Sequence, residues 1–275
     1  MTKKYTGVYP PLIERFFEEE NQKTRNTDRK QDDKTNDKAK IKLKPNHTDK
    51  KNNADIAKVV KTKLHQAYGA YTQDNAHKKA AKLLDTLEDA TTTKALLSLH
   101  ASTKERLPHY QEFYEFILKH TGKLESILDI GCGYNPFSLP LIPTNIKTYY
   151  AYDIDTRVAD LLNRFFTHQG LPPLARCEDL AVHIPKETAD IALMCKLLPV
   201  LEAQTPGSGY KLARGLNVKY LLITYPLKSL GGREKGMIRN YTAAFESALA
   251  DGQLGRFSLI AKQQIGAEML YLLGS

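Results

Sequence analysis

The spacing of apolar positions changes twice along this chain. Residues 10–20 repeat at helical spacing, with Leu12, Ile13, Phe16 and Phe17 on one face. Residues 22–53 hold only Ala39, Ile41 and Leu43 as apolar members and read as a flexible insertion or linker. Helical spacing resumes after Asp55 through Ile56, Val59, Val60, Leu64 and Tyr68, until Gly69 breaks it. Two short helices are expected at 80–87 and 94–99. Ser102 or Thr103 can cap a further helix that carries Arg106, Phe113, Phe116 and Ile117. Residues 1–120 thus read as an all-α region whose apolar faces are too thin to fold alone.

From Ser126 the pattern becomes strand, helix, strand. Strands are expected at 126–131, 148–154, 174–179, 190–196 and 218–225, with helices between them. Crossovers of roughly 10–20 residues make these five parallel. Two more strands, 257–264 and 268–273, are joined by Gly266-Ala267, short enough for an antiparallel hairpin. The expected fold is α/β: a seven-stranded, mostly parallel sheet over 121–275 behind the helical region. It resembles the sheet of Rossmann-like methyltransferases.

Residues 127–136, Ile-Leu-Asp-Ile-Gly-Cys-Gly-Tyr-Asn-Pro, carry the sharpest chemical signal. A buried strand runs into a Gly-x-Gly turn, and the next strand ends in Asp153. Glycines let backbone approach a ligand, and an acid one strand away can accept ribose hydroxyls. A dinucleotide site wants Gly or Ala three residues after the second glycine; here Pro136 follows Tyr134 and Asn135. Asp129 would also repel a pyrophosphate. S-adenosylmethionine (SAM), which has a sulfonium and no phosphate, suits the loop better. A strand–turn–helix without any ligand is the competing reading.

Other candidates follow from position. Asp179, at the end of the third strand, can accept from an adenine amino group while Leu180 supplies its amide; a strand-end turn residue is the plainer reading. Arg106 offers a guanidinium fork for a methionine carboxylate, although surface arginines are common. Asp155, before Thr156, fits a helix N-terminal acid. His100 reads as a helix-end histidine or a base. Lys196 and Glu202, after the fourth strand, should face the reacting group, with Glu202 able to orient Lys196; the ordinary alternative is a solvated helix start. Leu230-Gly-Gly-Arg233-Glu-Lys-Gly236 reads as a phosphate clamp or as a surface loop.

Charge alters the picture at one place. Residues 23–63 carry 14 Lys and Arg against 6 Asp, so +8 of the net +9 lies there. Such a segment is either a polyanion-binding arm for nucleic acid or a solvated charged stretch. No run of about 18 apolar residues exists to span a membrane, and Met1-Thr-Lys-Lys-Tyr lacks a secretory core. Three scattered cysteines, Cys132, Cys177 and Cys195, give neither metal spacing nor a disulfide framework and suit a reducing cytoplasm.

Four segments in order, His100-Ala-Ser-Thr-Lys-Glu-Arg-Leu107, Leu128-Asp-Ile-Gly-Cys-Gly133, Lys196-Leu-Leu-Pro-Val-Leu-Glu202 and Ser229-Leu-Gly-Gly-Arg-Glu-Lys-Gly-Met237, together resemble the aminoglycoside-resistance 16S rRNA (guanine(1405)-N(7))-methyltransferases. Leu64-His-Gln-Ala-Tyr-Gly-Ala-Tyr71 is similar to that family's helical region. The resemblance implies SAM as donor, 16S rRNA in the assembled 30S subunit as substrate, and rRNA docking by the helical region. It places His100, Ala101, Ser102, Arg106, Gly131, Asp153, Asp179, Leu180, Cys195 and Gln204 around SAM. Lys196, Glu202 and Arg233 fall at the catalytic rim or the RNA contact. A cytoplasmic monomer without a metal is expected. The stretch 22–53 is longer than the family's linker. Two rivals stand beside this reading: a SAM methyltransferase for another rRNA position such as adenine N1, and a non-catalytic ribosome-assembly factor. An exocyclic amine target would bring an Asn/Asp-Pro-Pro-Tyr-type motif after the fourth strand, which Lys196-Leu-Leu-Pro does not fit, and the paired glycines and acids oppose a vestigial site.

Overall fold

The computed structural model describes residues 7–32, 48–65, 75–86, 90–227 and 237–275. Five parallel strands form most of the sheet: β1 (Ser126–Ile130), β2 (Thr148–Asp153), β3 (Ala175–Cys177), β4 (Thr188–Cys195) and β5 (Asn217–Pro226). Strands β6 (Ser258–Ile265) and β7 (Glu268–Gly274) make the expected hairpin, and β7 pairs antiparallel with β5. The order is β3-β2-β1-β4-β5-β7-β6. Direction of travel reverses between β1 and β4, which opens a crevice outside their carboxyl ends. Because β7 runs backwards, its first residue, Glu268, pairs with Pro226 and reaches that same edge.

Strand alternation divides the core into two faces. Ile127, Tyr149, Ile191, Leu193 and Leu272 point to one, and Leu128, Ile130, Ala192, Met194 and Leu273 to the other. On the first face lie α3 (Ala76–Asp85), α4 (Ala90–Ser98), α6 (Tyr110–Thr121) and α7 (Thr156–His168), which contribute Leu84, Leu97, Phe113 and Phe165 to one continuous cluster. The helical region therefore shares the sheet's core. Each such side chain, fully buried, stabilises by about 1.5–3 kcal/mol. The second face is covered by α8 (Leu198–Gln204), α9 (Ser208–Gly215) and α10 (Met237–Ala250). Asp155 caps α7, accepting from Arg157 N at 2.9 Å, as the sequence suggested.

Several local expectations give way. Helix α1 runs over Pro10–Asp32 and α2 over Thr48–Leu64, so both ends of the supposed linker 22–53 are helical. Residues 33–47, like Tyr68 and Gly69, lie outside the described residues. The helix expected from Ser102 is two: α5 (Ala101–Arg106) starts after His100, and a 3-10 turn at Leu107–His109 with Pro108 at its start separates it from α6. Between β1 and β2 there is only a 3-10 segment, Asn135–Leu141; Pro136 sits at its start, and Pro140 inside it withholds an amide an α-helix would need. Among the described residues, no helix joins β3 to β4.

Candidate functional site

The parallel strands deliver Gly131, Asp153, Asp179 and Cys195 to one edge. Gly131 and Gly133 have φ of +64° and +51°, a region closed to most side chains. A Cβ on Gly131 would stand 2.7 Å from Leu197 Cδ1, and one on Gly133 2.9 Å from His100 Cε1. Both positions therefore favour glycine, by the strain a side chain would carry at positive φ and by the crowding of Leu197 and His100. Gly133 N–H donates to Asp153 Oδ2 at 2.9 Å, and Asp155 N–H to Asp153 Oδ1 at 3.0 Å. Burial, and then the neighbouring Asp155, push the Asp153 carboxyl up to about 7.

Beneath the turn lies a buried polar chain. Arg106 Nη1 donates to Asn135 Oδ1 at 2.9 Å, and Nη2 to Glu268 Oε2 at 2.7 Å. Asn135 Nδ2 donates to Asp129 Oδ2 at 2.8 Å, and Tyr149 Oη to the same oxygen at 2.8 Å. Burial lifts Asp129 to about 6, against the pull of those two donors. Glu268 also accepts from Thr224 Oγ1 at 2.7 Å, and its other oxygen lies 3.4 Å from Lys196 Nζ. Arg106 Nε, buried within this chain, has no hydrogen-bond partner among the described residues.

Lys196 adopts φ +59°, a strained conformation for a residue with a Cβ. Its amide is held at 3.1 Å from both Thr224 O and Thr224 Oγ1, and its Nζ meets Glu105 Oε2 at 2.5 Å. The turn aims the ammonium back toward α5, where it stands beside the cavity. At the opposite end Asp179 Oδ1 accepts from Ala181 N–H at 3.1 Å, and Oδ2 from Arg15 Nε of α1 at 2.7 Å.

These elements line a cleft whose empty space, open solvent included, is about 920 Å³. Of the residues anticipated from sequence, His100, Ser102, Arg106, Gly131, Asp153, Asp179, Leu180, Cys195, Lys196 and Gln204 all line it. Ala101 opens α5 beside them without lining it. His100 stacks on Tyr134 with centroids 5.6 Å apart. Burial, and then Lys196 and Arg106, push its imidazole down to about 3, so it is neutral near pH 7 and unsuited to act as an acid. Burial pushes the Cys195 thiol up to about 12, which makes it an apolar wall.

Two anticipated residues stand elsewhere. Glu202 does not orient Lys196; its carboxylate takes the amides of Gly207 at 2.7 Å and Gly209 at 2.8 Å, capping the start of α9. Glu105 and Glu268 are the partners of Lys196 instead. Arg233 lies outside the described residues. Sequence reasoning also missed Asn135, Glu268 and Arg15. Asn135 was in view, next to the telling Pro136; Glu268 and Arg15 had no local signal.

SAM suits the lining of this cavity by its chemistry. A buried guanidinium with one unpartnered N–H awaits an acceptor such as a carboxylate, and a carboxylate amid two backbone amides can still accept from a diol. A glycine turn leaves the backbone bare between them.

Residues 46–271 match a family model described as ribosomal RNA methyltransferase (FmrO). A 16S rRNA (guanine(1405)-N(7))-methyltransferase of Micromonospora rosea is 35% identical over 229 residues, which is 80% of this chain and 82% of that protein. One from Serratia marcescens is 37% identical over 213 residues, 78% of this chain and 80% of its own. Among solved structures, the 16S rRNA methyltransferase RmtF in complex with S-adenosyl-L-homocysteine superposes with a TM-score of 0.79 at 32% identity, covering 99% of this chain and 94% of that one. The 16S rRNA methylase RmtB gives 0.76 at 29% identity, covering 100% and 94%.

Proposed function

Since the chain belongs to the FmrO family of ribosomal RNA methyltransferases, we propose that it transfers a methyl group from SAM to N7 of guanine 1405 in 16S rRNA, the reaction named for its relatives. The acceptor is the assembled 30S subunit, and the outcome is aminoglycoside resistance. The observation that carries this reading is the single cavity lined by Arg106 of α5, by Asp153 and Asp179 beyond the strand ends, and by Lys196.

Bound there, SAM supplies an electrophilic methyl on a sulfonium. Arg106 would hold its carboxylate through Nε, Asp153 its ribose hydroxyls, and Asp179 with the Leu180 amide its adenine edge. Cys195, Leu197 and Leu201 exclude water from the cavity wall. Guanine N7 carries a lone pair and no proton, so no general base is required of the chain. What the chain must supply is positioning, and a field that tolerates a cationic product. Neutral His100 and the anionic Glu268 keep that field from becoming excessively positive around Arg106 and Lys196. The target base must leave its stack, at a cost of about a few kcal/mol. We assign to Lys196, which lines the same cavity, the contact with the base or its phosphate.

Methylation at N7 deletes an acceptor from the guanine Hoogsteen edge and adds positive charge. A polycationic aminoglycoside reading that edge loses a hydrogen bond and gains repulsion. Exposed Lys78, Lys79 and Lys82 of α3, with Lys104 of α5, support rRNA docking by the helical region. Action as a monomer is part of the same proposal. No helix among the described residues is long and apolar enough to cross a membrane, and a ribosomal substrate accords with an enzyme of the cytoplasm. Expression in aminoglycoside-susceptible bacteria tests the reading. Growth in drug is expected with the wild type and is expected to vanish with Asp153→Ala; sensitivity despite soluble wild-type protein would defeat it.

A further inference from the structure

We infer that α1 is part of the donor site, with Arg15 the positioning residue that fixes the Asp179 carboxylate against the adenine base. The inference rests on the reading of this cavity as a SAM site and extends it to a segment no motif pointed to. Arg15 reaches across 164 residues of sequence to Asp179, with Nε 2.7 Å from Oδ2 and Nη2 3.4 Å from Oδ1. The same Nη2 lies 3.4 Å from Gln204 Oε1, a second residue of the cavity wall. One turn earlier, Leu12 lines the cavity itself and is 1% exposed.

The helix is tied down where this matters. Tyr9 N–H donates to Ile154 O at 2.7 Å, Thr156 N–H to Gly7 O at 2.9 Å, and Tyr9 Oη to Glu178 Oε2 at 3.4 Å. These hydrogen bonds fasten the start of α1 to the ends of β2 and β3. Arg15 is steadied in turn by Glu19 at 2.5 Å. Asp179 follows a three-residue strand, and its own turn anchors only one oxygen, through Ala181. The guanidinium fork fixes the other and so sets the plane of the carboxylate. An ionised carboxylate in a fixed plane accepts from an amino group and repels a carbonyl oxygen. Arg15 therefore governs how strictly the site distinguishes adenine from a 6-oxo purine.

Calorimetric titration with S-adenosylhomocysteine and S-inosylhomocysteine tests this on wild type, Arg15→Ala and Arg15→Lys, each checked for folding by circular dichroism. Wild type is expected to prefer the adenosyl compound by about tenfold or more. Arg15→Ala should lower that ratio to about threefold or less and weaken adenosyl binding by about tenfold; Arg15→Lys, keeping charge without the fork, should fall between. An unchanged ratio in the folded variants would overturn the inference and leave the SAM reading standing. Equal binding of both compounds by wild type would remove Asp179 from the adenine contact, and the inference with it.

Discussion

Arg106 and Glu268 meet at 2.7 Å although 162 residues separate them, and both side chains are almost excluded from water. The antiparallel return of β7 makes this possible, because it sets Glu268 beside the carboxyl ends of the parallel strands. A guanidinium buried this deeply needs a counter-charge. Glu268 provides it for Arg106, and lies close enough to Lys196 to serve both cations at once.

Removing that carboxylate should therefore be costly. Glu268→Ala strands Arg106 and is expected to destabilise by about 3–5 kcal/mol in chemical denaturation, with Glu268→Gln less affected because it keeps hydrogen bonds. The two buried cations hold Glu268 below its ordinary 4.5. Its contribution is thus complete above that value and fades as pH falls through the native one. The acid limb of the wild-type stability curve should be steeper than that of Glu268→Gln.

Asp153 has the opposite sign. Raised to about 7 from 3.8, it favours the protonated form in the free protein, so its stabilising contribution is complete below 3.8 and lost as pH rises through about 7. Ribose hydroxyls donate best to the ionised form. Affinity for S-adenosylhomocysteine should accordingly rise as pH increases through about 7, with release of a proton visible as a buffer-dependent binding enthalpy. Asp153→Asn should weaken binding by roughly tenfold or more and abolish the pH step.

Gly131→Ala places a Cβ at φ +64° and 2.7 Å from Leu197 Cδ1. A loss of about 1–3 kcal/mol in folding stability is expected. The fold should survive while donor binding, followed by titration, drops below detection.

The lysines of α3 should act through phosphates alone. Changing Lys78, Lys79 and Lys82 together to Gln is expected to weaken binding to small ribosomal subunits. The plot of log affinity against log salt should flatten by roughly 0.7–0.9 for each phosphate no longer neutralised. Donor affinity should not move. An unaltered salt slope would place the rRNA-docking surface elsewhere.

What could be read from the sequence was whatever leaves a local trace. Apolar runs ending in Gly131, Asp153, Asp179 and Cys195 announced a parallel sheet and the residues at its edge, because period and punctuation belong to adjacent positions. Gly266-Ala267 likewise announced the hairpin. The fate of Glu202 was hidden, since a helix-capping carboxylate and one facing a reaction look alike until the amides of Gly207 and Gly209 are located. Arg15 and Glu268 were invisible for a different reason: each acts on a partner more than 160 residues away, and only the folded topology brings the pairs together. Helical continuation of α1 past residue 22 carries no apolar stripe, so helical periodicity does not reveal it.

The central claim is a chemical change at one atom, and it is tested most directly by locating that atom. Purified protein is incubated with assembled small subunits and methyl-labelled SAM, and the modified nucleotide of 16S rRNA is mapped by strand scission at 7-methylguanine and by mass spectrometry of the nucleosides. A single label on N7 of guanine 1405 is the expected result, in keeping with the activity of the relatives. Label on another nucleotide, or none in the presence of active subunits, would contradict the account.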